Sequence, residues 1–108
     1  MSKSSWRYHI KDDSTIIEEV GVVIKTLTDD LEGDQHQRFI INLNCDQTIL
    51  IVHNIDLVDR ITLHEGDLVE VCGVYEYNDR GGLIHWTHRD PVGNHKPGWI
   101  KHAGKLYH

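Results

Sequence analysis

Apolar residues recur along this chain in short runs, mostly at every second position, and never for long at the three-to-four spacing of a helix. Val20–Ile24 is a β-branched run that closes at Thr28-Asp29-Asp30, and Glu32-Gly33-Asp34 is a turn. In RFIINL (38–43) Phe39, Ile41 and Leu43 alternate with Arg38, Ile40 and Asn42. Cys45-Asp46-Gln47 turns the chain into TILIVH (48–53). The stretch 54–67 offers Leu57, Val58 and Ile61, enough for a short helix at most. LVEVCGVYEY (68–77) puts Val69, Val71, Gly73, Tyr75 and Tyr77 on one face, and the NDRGG turn returns the chain as LIHWT (83–87).

Five short strands, with a connector after the third, predict a mostly β protein. A single hairpin sheet could not bury so many Ile, Val and Leu side chains, whereas a closed barrel removes the exposed edges. The expected architecture is a small five-stranded barrel like the oligonucleotide/oligosaccharide-binding (OB) fold, with a C-terminal tail packed across it; an open α+β sheet is the alternative. Gly73 marks either a bend or a bulge. Residues 1–15 read as an N-terminal extension and residues 16–108 as one domain.

At 108 residues the chain suits one domain with a modest core. No apolar run approaches the roughly 20 residues of a membrane span, and the opening lacks the apolar stretch of a secretory leader, so a cytoplasmic location without membrane contact is expected. Cys45 and Cys72 form no CxxC; Cys72, in an apolar strand pattern, reads as a buried thiol. The net charge of −6 is unevenly spread. Residues 12–34 carry eight acids against Lys25, while residues 80–108 carry Arg80, Arg89, Lys96, Lys101 and Lys105 against Asp90. The two halves either pair within the molecule or leave one anion-attracting face. The overall negative charge argues against tight non-specific DNA binding.

Candidate chemistry gathers in three places. In GDQHQRF (33–39) the alternation puts Asp34, His36 and Arg38 on one face and Gln37 on the other. His53 and Asn54 end an apolar strand where a barrel mouth would lie; Asn54 and Asp56 also suit capping of the next turn. The segment 85–102 holds four of the nine histidines, both prolines and two of the three tryptophans. His85 and His88 are an odd number apart on a strand, so they face opposite ways unless the strand ends at Thr87. Metal ligands would come from His36, His53, His85, His88, Asp90 and His95, but no contiguous spacing certifies a site. Trp86 reads first as barrel core and Trp99 as an anchor for the tail, although their interleaving with Arg89 and Lys residues also resembles single-strand nucleic-acid binding.

The motifs GDQHQRFII, TILIVHNIDLVDRI, GDLVEVCGVYEYN, GGLIHWTHRDP and GWIKHAGKLYH resemble, in order, those of a small bacterial family catalogued as domain of unknown function 3465. The resemblance implies an OB-type barrel and no established activity, and relatives often carry an export leader. Where that family's motif reads HWTHHDP, Arg89 stands here in place of the third histidine.

The function expected is an OB-like binding module with a cleft for an anionic or polar ligand, either a small phosphate-bearing molecule or single-stranded nucleic acid. Its candidate lining is His36, Gln37, Arg38, His53, Asn54, His85, Trp86, His88, Arg89, Asp90, His95 and Trp99. No cofactor and no catalytic residue are assigned. The alternatives are a phosphodiester hydrolase, with His36 or His85 as general base and Arg38 or Arg89 stabilising negative charge, and a His-ligated metal protein. A purely structural histidine-rich end is the fourth reading.

Overall fold

A computed structural model describes residues 5–93 and 96–108. Seven strands form: β1 (Ile16–Thr26), β2 (His36–Asn42), β3 (Thr48–Asn54), β4 (Leu68–Glu76), β5 (Leu83–His85), β6 (Trp99–His102) and β7 (Lys105–Tyr107). The first five close a barrel in the order β1-β2-β3-β5-β4 and back to β1, antiparallel except for β3 against β5. Among the described residues no helix is long and apolar enough to cross a membrane.

Alternation fills the barrel. Phe39 and Ile41 of β2, Ile49 and Ile51 of β3, Val69, Val71 and Tyr75 of β4, and Ile84 of β5 point inward and are buried. Each such side chain contributes about 1.5–3 kcal/mol relative to exposure.

β1 begins well before the Val20–Ile24 run because Glu18 and Glu19 interrupt the apolar pattern without breaking the strand. It serves two partners: Ile16–Val22 pair with β4 and Val22–Thr26 with β2, the register shifting between Val23 and Lys25. A shift there lets one long strand turn the barrel's corner.

Gly73 sits in continuous register with Ile17, so it is no bulge. A Cβ there would lie 2.4 Å from the His85 carbonyl oxygen. The glycine marks where one edge of β4 changes partner, from β5 at Val74–Glu76 to β6 at Val69–Cys72. β5 therefore stops at His85, two residues short of the LIHWT expectation. Trp86 adopts φ 59° and is half-buried outside the core, so it does not fill the barrel as the alternation implied. The tail is held on the barrel by strand pairing: β6 adds to β4, and β7 to β6.

The 55–67 connector forms turns instead of a helix. The Gln37 amide faces inward and stands in for a strand neighbour. Its Nε2 donates to the Ile61 carbonyl at 2.6 Å and its Oε1 accepts the Ile61 N–H at 2.9 Å, which seats Ile61 in the core.

The N-terminal segment is part of the barrel's closure. Gln47, fully buried where the chain enters β3, accepts the N–H groups of Arg7 and Tyr8 at 2.9 and 3.0 Å. Its Nε2 donates to the carbonyls of Tyr8 and Gly81 at 3.0 and 2.8 Å. Tyr8 packs on Tyr75 with ring centroids 5.3 Å apart, and its hydroxyl donates to Glu19 at 2.6 Å.

Candidate functional site

The alternation that sends Ile49 and Ile51 into the barrel makes His53 the next inward residue of β3, at the end opposite Gln47. Its ring is fully buried. Nε2 faces the Asp59 carbonyl at 3.4 Å and Nδ1 lies 2.7 Å from the Thr87 hydroxyl. A carbonyl only accepts, so Nε2 carries the proton and Nδ1 accepts from Thr87. Burial pushes the imidazole pKa down to about 4, with smaller contributions in the same direction from His88 and His36. His53 is a neutral, hydrogen-bonded plug.

Thr87 reaches it because the left-handed turn at Trp86 swings the chain over the barrel end once β5 has stopped. The arm is tied down by Gly98, whose N–H donates to the His88 carbonyl at 3.0 Å. A Cβ on Gly98 would fall 2.0 Å from the Trp86 carbonyl oxygen, so only glycine allows this crossing.

His88 follows, 4% exposed, its ring centroid 5.0 Å from that of Trp86. Nδ1 donates to the Arg89 carbonyl at 2.8 Å, so Nε2 is the unprotonated ring nitrogen. Asp90 opens a turn, its Oδ1 accepting the Val92 N–H at 3.0 Å.

Across from the arm, Asn54 caps the connector: its Oδ1 accepts from Asp56 and Leu57 at 2.9 and 3.2 Å, as the capping interpretation expects. That presents Leu57 and Val58 to the arm. Between them lies a cleft of about 350 Å³ lined by Leu57, Val58, His88, Arg89, Asp90, Pro91 and His108. A smaller depression of about 230 Å³ adjoins it, shares Leu57, Val58 and His108, and is bounded by Asp59 and Lys105. Arg89 is exposed and, among the described residues, takes part in no ion pair.

The remaining candidates separate from this cleft. His36 and Arg38 lie on the outer face of β2. Arg38 is occupied, donating through Nε and Nη2 to the Thr28 carbonyl at 3.1 and 2.9 Å. His85 is on the outer face of β5, 3.0 Å from a Glu76 carboxylate oxygen. The registers carry Arg38 to Val52 and, one residue further, Val52 to His85, placing Arg38 and His85 about 10 Å apart at ordinary strand spacing. The mouth drawn from His36, Arg38, His53, His85 and His88 thus divides into an outer-face group and an end group. Trp99 belongs to neither, since it lies on the outer face of the sheet beside Cys72.

His95 lies outside the described residues. Among the described residues no three His, Cys, Asp or Glu side chains come together to hold a metal ion. Both cysteines are free thiols, and burial raises the Cys72 pKa.

Sequence reasoning missed Thr87 beneath the cleft, and Leu57, Val58, Pro91 and His108 in its lining. The placement of Thr87 between His85 and His88 in one polar motif was the available signal; nothing local marked the others.

No curated protein matches the chain. A family model described as "Protein of unknown function (DUF3465)" matches residues 3–108, the range that contains every motif used above. The chain belongs to that family, and its fold is a closed five-stranded barrel carrying two further strands outside the ring.

Proposed function

We propose that this protein is a non-enzymatic, OB-like binding module that takes a small phosphate-bearing molecule at the end of the barrel closed by the arm. The observation that carries this reading is Arg89: an exposed guanidinium without an ion-pair partner among the described residues, beside His88, on a cleft of about 350 Å³. That volume is at the lower end of small-ligand pockets and suits one small molecule better than a strand of nucleotides. A guanidinium binds phosphate through paired N–H donors. Leu57, Val58 and Pro91 supply apolar walls. The closed ring β1-β2-β3-β5-β4 supports the OB-like reading.

The test is an amide-resolved NMR titration with adenosine monophosphate, adenosine and an oligothymidylate. The expected outcome is saturable shifts at Leu57, Val58 and His88–Asp90 with the monophosphate, weakening as salt rises, and little response to adenosine. Shifts elsewhere, or equal responses to adenosine and its monophosphate, contradict the reading.

A further inference from the structure

A concavity of about 760 Å³ has no histidine in its lining. It runs along the outside of β1, where Val20, Val22 and Ile24 are 47%, 40% and 41% exposed, and it is flanked by Leu68 and Trp99. A row of exposed aliphatic side chains beside a half-buried tryptophan is not the ordinary surface of a small barrel.

The backbone beneath this groove is also open. In the β1–β4 register the odd-numbered residues of β1 bond to β4, as the Val23 N–H to Asp67 and the Tyr75 N–H to Thr15 show at either end. The main-chain groups of Ile16, Glu18 and Val20 therefore point the other way. On that side β2 ends at Asn42, paired with Val22, and the chain turns off at Leu43. Among the described residues no hydrogen bond joins the Glu18 or Val20 main chain on that side. An open strand edge along an apolar groove is the geometry that accepts an added strand.

Charge selects the occupant. The groove is lined by Glu18, Glu19 and Glu70 against Arg7, and Arg7 is already bonded to Glu19. A second copy of this chain pairing β1 with β1 about a twofold axis would bring these carboxylates toward their own copies, which is unfavourable. We propose that the β1 groove binds an extended polypeptide segment with alternating basic and apolar residues, which adds as a strand along Ile16–Val20. Its main chain would bond to Glu18 and Val20, its basic side chains, all on one face of the added strand, would lie on the outer face beside Glu18, and its apolar ones would point to the opposite face.

The experiment uses the full chain and two eight-residue peptides, one alternating lysine with valine or leucine and the other carrying glutamate in place of each lysine. The lysine peptide is expected to shift the Glu18, Val20 and Val22 amides and to slow hydrogen exchange at the Glu18 and Val20 N–H groups. The glutamate peptide should not bind, and Glu18→Lys, an exposed substitution, should weaken the lysine peptide about tenfold. Equal binding of both peptides, shifts confined to the barrel end, or unchanged affinity in Glu18→Lys would overturn the proposal. So would a concentration-dependent dimer, seen by sedimentation, that protects the same amides without peptide.

Discussion

The two ends of this barrel are both sealed by a buried polar side chain, and they differ in what that seal can respond to. At one end Gln47 uses both amide atoms, four hydrogen bonds in all, to clasp Arg7, Tyr8 and Gly81. At the other, His53 is held by one hydroxyl and one longer contact to a carbonyl. An amide does not titrate, so the first seal is indifferent to pH. An imidazole held at a pKa of about 4 is not. The amide end is a structural closure made by the N-terminal segment; the imidazole end lies beneath an arm that also carries Arg89, without an ion-pair partner among the described residues.

The largest effect that would sharpen this contrast is loss of the amide. Gln47→Leu keeps the volume but strands three main-chain groups, the Gly81 carbonyl keeping the Tyr75 hydroxyl, and should cost about 3 kcal/mol by chemical denaturation, nearly the same at pH 5 and pH 7.5. A cost that varied steeply with pH would break the comparison.

His53 should show the opposite behaviour, at a similar magnitude. Its folded pKa of about 4 is below its unfolded value near 6.5, so the unfolded chain binds the proton more readily. The resulting stability is fully present above pH 6.5 and is lost as pH falls towards 4, a difference of about 3 kcal/mol. Denaturation of the parent and His53→Gln across that window should show the variant losing less by about that amount. Parallel curves would mean that the imidazole is not buried as described.

Thr87→Val removes the hydroxyl that donates to His53 Nδ1 and should cost about 1–2 kcal/mol, leaving a buried acceptor unpaired. The smallest effect is expected at the amide end's exposed rim. Arg7→Ala breaks the ion pair with Glu19 and should change stability by about 0–1 kcal/mol, because an exposed pair is largely screened.

Much of the architecture was legible because alternation is a local signal. RFIINL and LVEVCGVYEY each marked the correct inward face, and barrel closure followed from the quantity of β-branched surface to be buried. What was not legible depends on distant partners. Glu19 looks like a break in an apolar run until Arg7 and Tyr8 are seen to bond it. Trp86 continues the Ile84 face on paper, but β6 takes the edge of β4 beyond Gly73 and β5 has to leave. β6 and β7 themselves are too short and too mixed to announce a strand. For the site, the opposite orientations of His36 and His53 were implicit in period-two geometry, yet the union of His53 with Thr87 needed the turn at Trp86. Within the acidic front, Glu19 and Asp29 pair with Arg7 and Arg60, which lie outside the basic rear.

The central claim is that the arm end, and not the outer face of β2, is where an anion binds. The most direct measurement is the affinity for adenosine monophosphate, by calorimetry, of the parent, Arg89→Ala and Arg38→Ala. Loss of a phosphate-binding guanidinium should weaken binding about tenfold or more in Arg89→Ala, with Arg38→Ala within about twofold of the parent. The reverse order, or equal affinities in all three, would contradict the account.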